Sequence, residues 1–452
     1  METPIVSFVN EYIKNKPSRF HVPGHKGRVK CGGEPFDITE VTGAGNLYSF
    51  EGIIAESEKI ASRLFGFGGT FYSTEGSSQC VKVMLYLAKK ACLSDGSEGG
   101  RIIAERGAHR SLLSALAFCN IDVNWVYSEK TKDGKAVLSK DELMGAVNGS
   151  KDKPFALFVT SPDYYGRAHD IARLAAFCRE NGMFLLVDNA HGAYMRFLSP
   201  SAHPVSLGAF MSSDSAHKTL PVYTGGAYLQ LSVQASAKVF YLAKSAISLF
   251  CSTSPSYLTL CSLDRCNAYL SDGYAEKLSR HIKEIEAVKQ KAAEKGFCVL
   301  PSDPLRMVID AKESRFDGRE IAAILCKNHV EAELYDKDSL VLMTTPENTP
   351  KDFEKLLSAL DLCLKLKKSG IGEHTEPHRP LTPKKQMTVK QALESRHEEV
   401  ITDLALGRTL AFPPFCGTPE TLAAVSGEVI DQSIIDFYKE KGVKSLLIVK
   451  DR

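Results

Sequence analysis

From Gly52 to about Val239, short apolar runs alternate with amphipathic helical stretches, and this alternation constrains the fold more than any other feature of the chain. Helical patterns cover Ile53 to Phe65, Ser78 to Ala91, Ser111 to Phe118 and Ile171 to Asn181. Apolar runs of strand length cover Gly69 to Tyr72, Arg101 to Ala104, Asp122 to Val126, Phe155 to Val159, Met183 to Val187 and Leu207 to Met211. Strands buried on both faces read as continuous apolar runs, and their alternation with helices specifies an α/β domain around a mainly parallel sheet. In open sheets of this kind ligands bind beyond the carboxyl ends of the strands. The suggestive polar residues of this chain follow its apolar runs at that end.

The remainder divides by composition. Residues 1–50 hold one short amphipathic helix and then glycine-rich stretches, His21-Val-Pro-Gly-His-Lys-Gly27 and Thr42-Gly-Ala-Gly-Asn46, which read as an arm rather than core. The major domain is expected over 51–290, ending in a long charged connecting helix from Tyr257 to about Lys295. Strand signals at Met307-Val-Ile-Asp310 and Ser339-Leu-Val-Leu-Met343 mark a smaller α/β lobe over 291–370. A polar stretch from Lys367 to Lys385 reads as a linker into a compact C-terminal unit, 371–452.

Fifty-six basic residues against 54 acidic ones give a formal charge of +2, so the balance predicts neither nucleic acid nor an anionic membrane as partner, and a small molecule is expected. The 12 cysteines are scattered singly, without Cys-x-x-Cys pairs or a histidine cluster, which argues for reduced thiols and against a metal site or disulfide framework. No run reaches the roughly 18 apolar residues of a membrane span, and the N-terminus lacks a leader pattern, so a cytoplasmic location is expected.

Two residues carry the chemistry. Asp188 ends the run Met183 to Val187, and Lys218 lies in Asp214-Ser-Ala-His-Lys-Thr-Leu-Pro221. A strand-ending carboxylate can keep a pyridine nitrogen protonated while a downstream lysine holds an aldehyde as a Schiff base, which together point to pyridoxal 5′-phosphate (PLP). His191, in Asn189-Ala-His191-Gly192, would support that carboxylate. Gly76-Ser77-Ser78 offers N–H groups and hydroxyls at a helix start, where a phosphate is stabilised, although serine also caps helices that bind nothing. Ser215 and His217 would reach the phosphate or Lys218, and His109 would stack on the ring or serve as a structural histidine. Thr160 or Ser161 would approach the phenolic oxygen or form a polar turn.

The segments His21 to Lys26, Asp37 to Glu40, Phe71 to Ser78, His109-Arg-Ser111, Thr160 to Gly166, Asp188 to Ala193, Ser215 to Pro221, Ser252-Thr-Ser-Pro-Ser-Tyr257 and Leu263-Asp264 occur in order along the chain. Through them it resembles the ornithine, lysine and arginine decarboxylases, fold-type I PLP enzymes, in their short bacterial form without an N-terminal wing domain. The resemblance implies a seven-stranded, mainly parallel sheet in an aspartate-aminotransferase-like major domain, followed by a small lobe and a C-terminal α+β domain. It implies Lys218 as the Schiff-base lysine, Asp188 at the pyridine nitrogen, His109 on the ring, and Ser77, Ser78, Ser215 and His217 around the phosphate. Thr253 and Ser254 would come from a neighbouring subunit, so a homodimer or dimer of dimers with its active site at the interface is expected.

Several positions depart from the family pattern. Asn189 replaces a frequent acid, Tyr194 a frequent histidine, Gly43-Ala-Gly-Asn-Leu-Tyr48 lacks a usual carboxylate, and Pro413-Pro414-Phe415 stands where Pro-Pro-Gly is usual. Glu34, Asp37, Glu40, Glu51, Glu75 and Glu428 are the acidic candidates for reading a cationic substrate tail, or else solvated charges. The expected reaction is decarboxylation of arginine or lysine, before ornithine. An aminotransferase or lyase on another amino acid, and a PLP-binding homologue without turnover, are the competing readings.

Overall fold

A computed structural model describes residues 1–92, 99–131, 133–149, 152–366, 381–415 and 422–450. Most of the expected linker, 367–380, and Cys416 lie outside the described residues.

Seven strands form the central sheet: β1 Gly69–Ser73, β2 Arg101–Glu105, β3 Asp122–Val126, β4 Ala156–Thr160, β5 Phe184–Asp188, β6 Met211–Asp214 and β7 Ala227–Leu231. Their order is β1-β7-β6-β5-β4-β2-β3. Strands β2 to β6 pair in parallel, and β7 runs antiparallel to both β6 and β1. The seven-stranded, mainly parallel sheet is the one expected. Helices cover both faces, with Ser77–Cys92 and Ser111–Phe118 bounding one apolar cluster and Ile171–Glu180 another.

Three local expectations are corrected. The strand expected at Leu207 to Met211 begins only at Met211, because Gly208 at φ +106° and the bond from the Leu207 N–H to the His203 carbonyl (3.2 Å) close a turn first. Ser212, Ser213 and Asp214 therefore form a buried strand end. The connecting helix is two helices, Tyr257–Ser271 and Tyr274–Glu294, broken where Gly273 takes φ +63°. The N-terminal segment is less an arm than expected: helix Pro4–Lys14 buries Ile5, Val6 and Val9, the Val6 N–H reaches Asp264 (2.9 Å), and Ile38, Ala44 and Leu47 are core. Between them Phe20 is 96% exposed.

The small lobe is a four-stranded antiparallel sheet, Cys298–Leu300, Arg306–Asp310, Ser339–Met343 and Leu334–Tyr335 in spatial order, packed with helices Gly318–Lys327 and Pro350–Cys363. The C-terminal unit holds a three-stranded antiparallel sheet, His397–Ile401, Ser445–Val449 and Leu410–Phe412, with helix Gln432–Glu440. It is sealed onto the major domain. Helix Val389–Glu394 packs on Ser111–Phe118, and Val389 and Val425 join the major domain's apolar cluster, each burial contributing about 1.5–3 kcal/mol.

Candidate active site at the carboxyl edge of the sheet

Strands β4 and β5 end at Thr160 and Asp188, which face each other in register. Helix Ile171–Glu180, capped by Asp170 accepting the Arg173 N–H (3.0 Å), ends at Asn181 and Gly182, so the chain turns straight into β5 and delivers Asp188 to the edge. Asp188 is 3% exposed, and its carboxylate accepts the Ala190 N–H at 3.2 Å. Burial pushes its carboxyl up to about 6, against the opposing pull of the Lys218 charge.

After β6, Ser215 precedes the short helix Ala216–Thr219, which carries His217 and Lys218. Lys218 Nζ lies 3.0 Å from His191 Nε2 and 5.9 Å from the centre of the Tyr164 ring. His191 is buried in the turn after Asp188, in an edge-to-face contact with Tyr164, and its Nδ1 has no partner among the described residues. Burial first, then the nearby Arg306 and Lys218 charges, hold it well below the usual imidazole range, so it is neutral.

Gly76, at φ +77°, turns β1 into helix Ser77–Cys92, and its N–H is tied to the Gly225 carbonyl at 2.8 Å. A side chain there would meet nothing nearer than 4.0 Å. The Ser215 hydroxyl donates to Ser77 Oγ and the Ser213 hydroxyl to the Ser77 carbonyl, both at 3.0 Å, joining this helix start to the Lys218 segment. Ser78 follows in the first turn, where the helix dipole favours an anion. His217 Nδ1 lies 3.2 Å from the Gly226 carbonyl. His109 Nδ1 accepts the Ser111 N–H at 3.2 Å, and burial, then the Lys218 and Arg110 charges, lower its imidazole to about 4.

These features suit PLP. Asp188 is a buried carboxylate placed for a cationic ring nitrogen, Thr160 Oγ1 is buried with no hydrogen-bond partner among the described residues, and the Ser77–Ser215 hydroxyl edge borders a helix start. Among the described residues no group of three or more His, Cys, Asp or Glu could hold a metal ion. No helix there is long and apolar enough to cross a membrane.

Other candidates fall apart from this cluster. Thr253 and Ser254 are exposed on the loop between helices Ala237–Ser248 and Tyr257–Ser271, with no hydrogen bond to the cluster among the described residues. Glu34 accepts three N–H groups of its own loop, Lys30, Cys31 and Gly32, and these bonds lower its carboxyl to about 2. Asp37 faces His25 at 3.1 Å. Glu428, expected near a substrate entrance, is instead 3% exposed and clamped by Arg106 through two 2.8 Å bonds, so it offers no free charge. Glu40, Glu51 and Glu75 are exposed. Local pattern singles out neither Tyr164, which lies in a polar turn, nor Arg306, which opens an apolar strand. Arg306 pairs with Asp303, which also accepts the Tyr194 hydroxyl at 2.7 Å. The departure at Tyr194 therefore has a buried partner.

The family model for Orn/Lys/Arg decarboxylase, major domain, matches residues 3–313. An arginine decarboxylase of Halalkalibacterium halodurans is 27% identical, over 97% of this chain and 93% of its own length. An arginine decarboxylase of Bacillus subtilis is 24% identical over 96% and 93%. Among solved structures, the Francisella novicida lysine decarboxylase LdcF superposes with a TM-score of 0.81 at 16% identity, covering 99% of this chain and 81% of that one, a likeness of fold. The chain belongs to the Orn/Lys/Arg decarboxylase family, whose cofactor is pyridoxal 5′-phosphate.

Proposed function

We propose that this enzyme decarboxylates a basic amino acid, arginine before lysine and both before ornithine, to the corresponding amine and CO₂. The observation that carries the reading is the cluster at the sheet edge, Lys218 against His191 with Asp188 and Thr160 in register beside them. The similarity to arginine decarboxylases along nearly the whole chain supports arginine as first choice.

When bound, PLP supplies the electron sink for the pair left as the bond to the carboxylate breaks. Lys218 would be the amine that holds the cofactor and, once free, the ammonium that supplies the proton taken up at the substrate's α-carbon. His191, kept neutral by burial, would accept the Lys218 N–H at Nε2, 3.0 Å away, and so orient that amine. Asp188 would hold the proton on the cofactor's ring nitrogen, and Thr160 Oγ1 would donate to its phenolic oxygen. His109 would pack on the cofactor ring and exclude water from one face. Ser77, Ser78, Ser215 and the Gly76 turn would receive the phosphate, with His217 alongside. The exposed Thr253 and Ser254 complete the phosphate site of a second subunit, which makes a dimer, or a dimer of dimers, the working unit. Glu40, Glu51 and Glu75 remain the acids available to a cationic tail. A cytoplasmic setting suits the free cysteines.

The test is CO₂ release from arginine, lysine and ornithine by the PLP-loaded protein beside Lys218→Ala. Release from one substrate, abolished in the variant, is expected. No CO₂ from any of the three would overturn the proposal, and formation of pyridoxamine phosphate with a keto acid would move the function to transamination.

A further inference from the structure

One buried carboxylate near this cluster has no part in the chemistry above. Asp214, at the end of β6, is fully buried, and four donors converge on it. Oδ1 accepts from Asn189 Nδ2 at 2.8 Å and from the Ser212 hydroxyl at 3.0 Å. Oδ2 accepts from His203 Nε2 at 2.8 Å and from Gln230 Nε2 at 3.1 Å. His203 accepts the Val205 N–H at Nδ1 (3.2 Å), so its hydrogen sits on Nε2, facing Asp214. Gln230 is oriented in turn by the Thr70 hydroxyl (2.6 Å). Four donors placed on two oxygens is an arrangement that an ionised carboxylate satisfies and an amide does not.

The bond to Asn189 is the informative one. Asn189 immediately follows Asp188, is fully buried, and opens the turn that carries His191. Its own N–H is tied to the Ser213 carbonyl (3.0 Å), its carbonyl receives the Gly192 N–H (2.9 Å), and a Cβ on Gly192 would fall 2.0 Å from its Oδ1. The side chain thus has one place to go, and Asp214 holds it there. On the other side Asp214 is flanked in sequence by Ser213 and Ser215, whose hydroxyls both reach Ser77.

We infer that Asp214 is a positioning residue for the cofactor: through Asn189 it fixes the turn that aims Asp188 and His191, and through its chain neighbours it fixes the hydroxyl edge at Ser77. The inference rests on the roles proposed above for Asp188 and Ser215.

The experiment titrates PLP into the apoprotein, reads the bound-cofactor absorbance for the dissociation constant, and records the melting temperature of the apoprotein beside it. In Asp214→Asn the oxygen stays with the two fixed donors, His203 and Gln230, because the Ser212 hydroxyl can turn to accept; the NH₂ then faces the Asn189 NH₂, and the dissociation constant is expected to rise at least about tenfold, the change that ~1.4 kcal/mol produces. In the double variant Asn189→Asp with Asp214→Asn, the amide at 214 donates to the carboxylate at 189 while its oxygen still serves His203 and Gln230. Affinity is expected to return to within about threefold of wild type. Should Asp214→Asn fail to fold, Asn189→Ala cuts the same link while leaving Asp214 three donors, and the same loss of affinity is expected. The inference is overturned if the folded single variants bind PLP like wild type, if the swap is no better than Asp214→Asn, or if the apo melting temperature falls while the dissociation constant stays put. Failure of the wild-type protein to take up PLP would overturn the cofactor roles and this inference together, whereas wild-type uptake with unaffected variants overturns this inference alone.

Discussion

Substituting Glu428→Gln tests how the C-terminal unit is held. Arg106 and Glu428 have side chains 9% and 3% exposed, joined by two parallel 2.8 Å bonds, and Glu428 Oε2 also accepts the Val425 N–H at 2.8 Å. Glutamine keeps one of the two oxygens. With its oxygen at the Oε1 position, its NH₂ opposes both Arg106 Nη2 and the Val425 N–H; flipped, it opposes Nη1. Either way a buried guanidinium loses its counter-charge, a change that costs about 3–5 kcal/mol. The Ala423 carbonyl at 3.3 Å and the Trp125 ring 5.2 Å from the guanidinium carbon retain part of the stabilisation, which sets the expectation at ~3 kcal/mol. At 1.4 kcal/mol per decade this raises the opening equilibrium of the unit about 150-fold. Hydrogen exchange of peptides from 385–412 and 422–430 reads that equilibrium directly. The double variant Arg106→Met with Glu428→Met removes both charges and should recover most of the protection, since apolar replacement of a buried pair is often neutral. Exchange of Glu428→Gln within about threefold of wild type, or a double variant as open as the single, would refute the argument.

Three further outcomes follow from the site. Lys218→Ala should lose the absorbance band of lysine-bound cofactor and at least about 10³-fold in turnover while still binding PLP; retained turnover would remove Lys218 from the chemistry. Ser77→Ala and Ser215→Ala should each weaken PLP binding by about 0.5–1.5 kcal/mol without changing the choice of amino acid, as measured by equilibrium titration and competition between arginine and lysine. In the apoprotein, Asp188 and His109 titrate in opposite senses. The folded state keeps the Asp188 proton to about pH 6 where the unfolded chain releases it near 3.8, so this group makes stability fall as pH rises between them. The unfolded chain protonates His109 near 6.5 where the folded state waits until about 4, so this group makes stability fall as pH drops through that window. Each slope amounts to ~3 kcal/mol and they largely cancel. Denaturant unfolding of apo His109→Gln should show stability falling toward pH 6, and apo Asp188→Asn the reverse; identical pH profiles would contradict both assignments.

What was legible in the chain was what local pattern encodes. The run Met183 to Val187 is apolar because β5 is buried on both faces, and the polar residue that ends it falls at the sheet edge by geometry alone. Lys218 and Asp188 were therefore readable, as was the helix start at Ser77. Strand β6 was displaced because Ser212, Ser213 and Asp214 are polar, and they tolerate burial only through partners, His203, Gln230 and the Ser77 carbonyl, that no local window contains. The same limit explains Glu428, whose partner Arg106 is 322 positions away. The two-helix break at Gly273 hinged on a single left-handed residue, which a charged helical pattern on both sides disguised.

The seal between the C-terminal unit and the major domain bears on how the protein is made. All seven strands of the central sheet have been synthesised by Leu231, yet Val389, Val425 and the counter-charge of Arg106 arrive only much later from the ribosome. Throughout that interval the nascent domain carries an open apolar face beside Ser111–Phe118 and an arginine without its carboxylate, the kind of surface that chaperones hold and that otherwise aggregates. A chain released before Val425 is therefore expected to be lost to the insoluble fraction rather than to persist as a weakened enzyme, and the yield of this protein depends on residues made long after its central sheet.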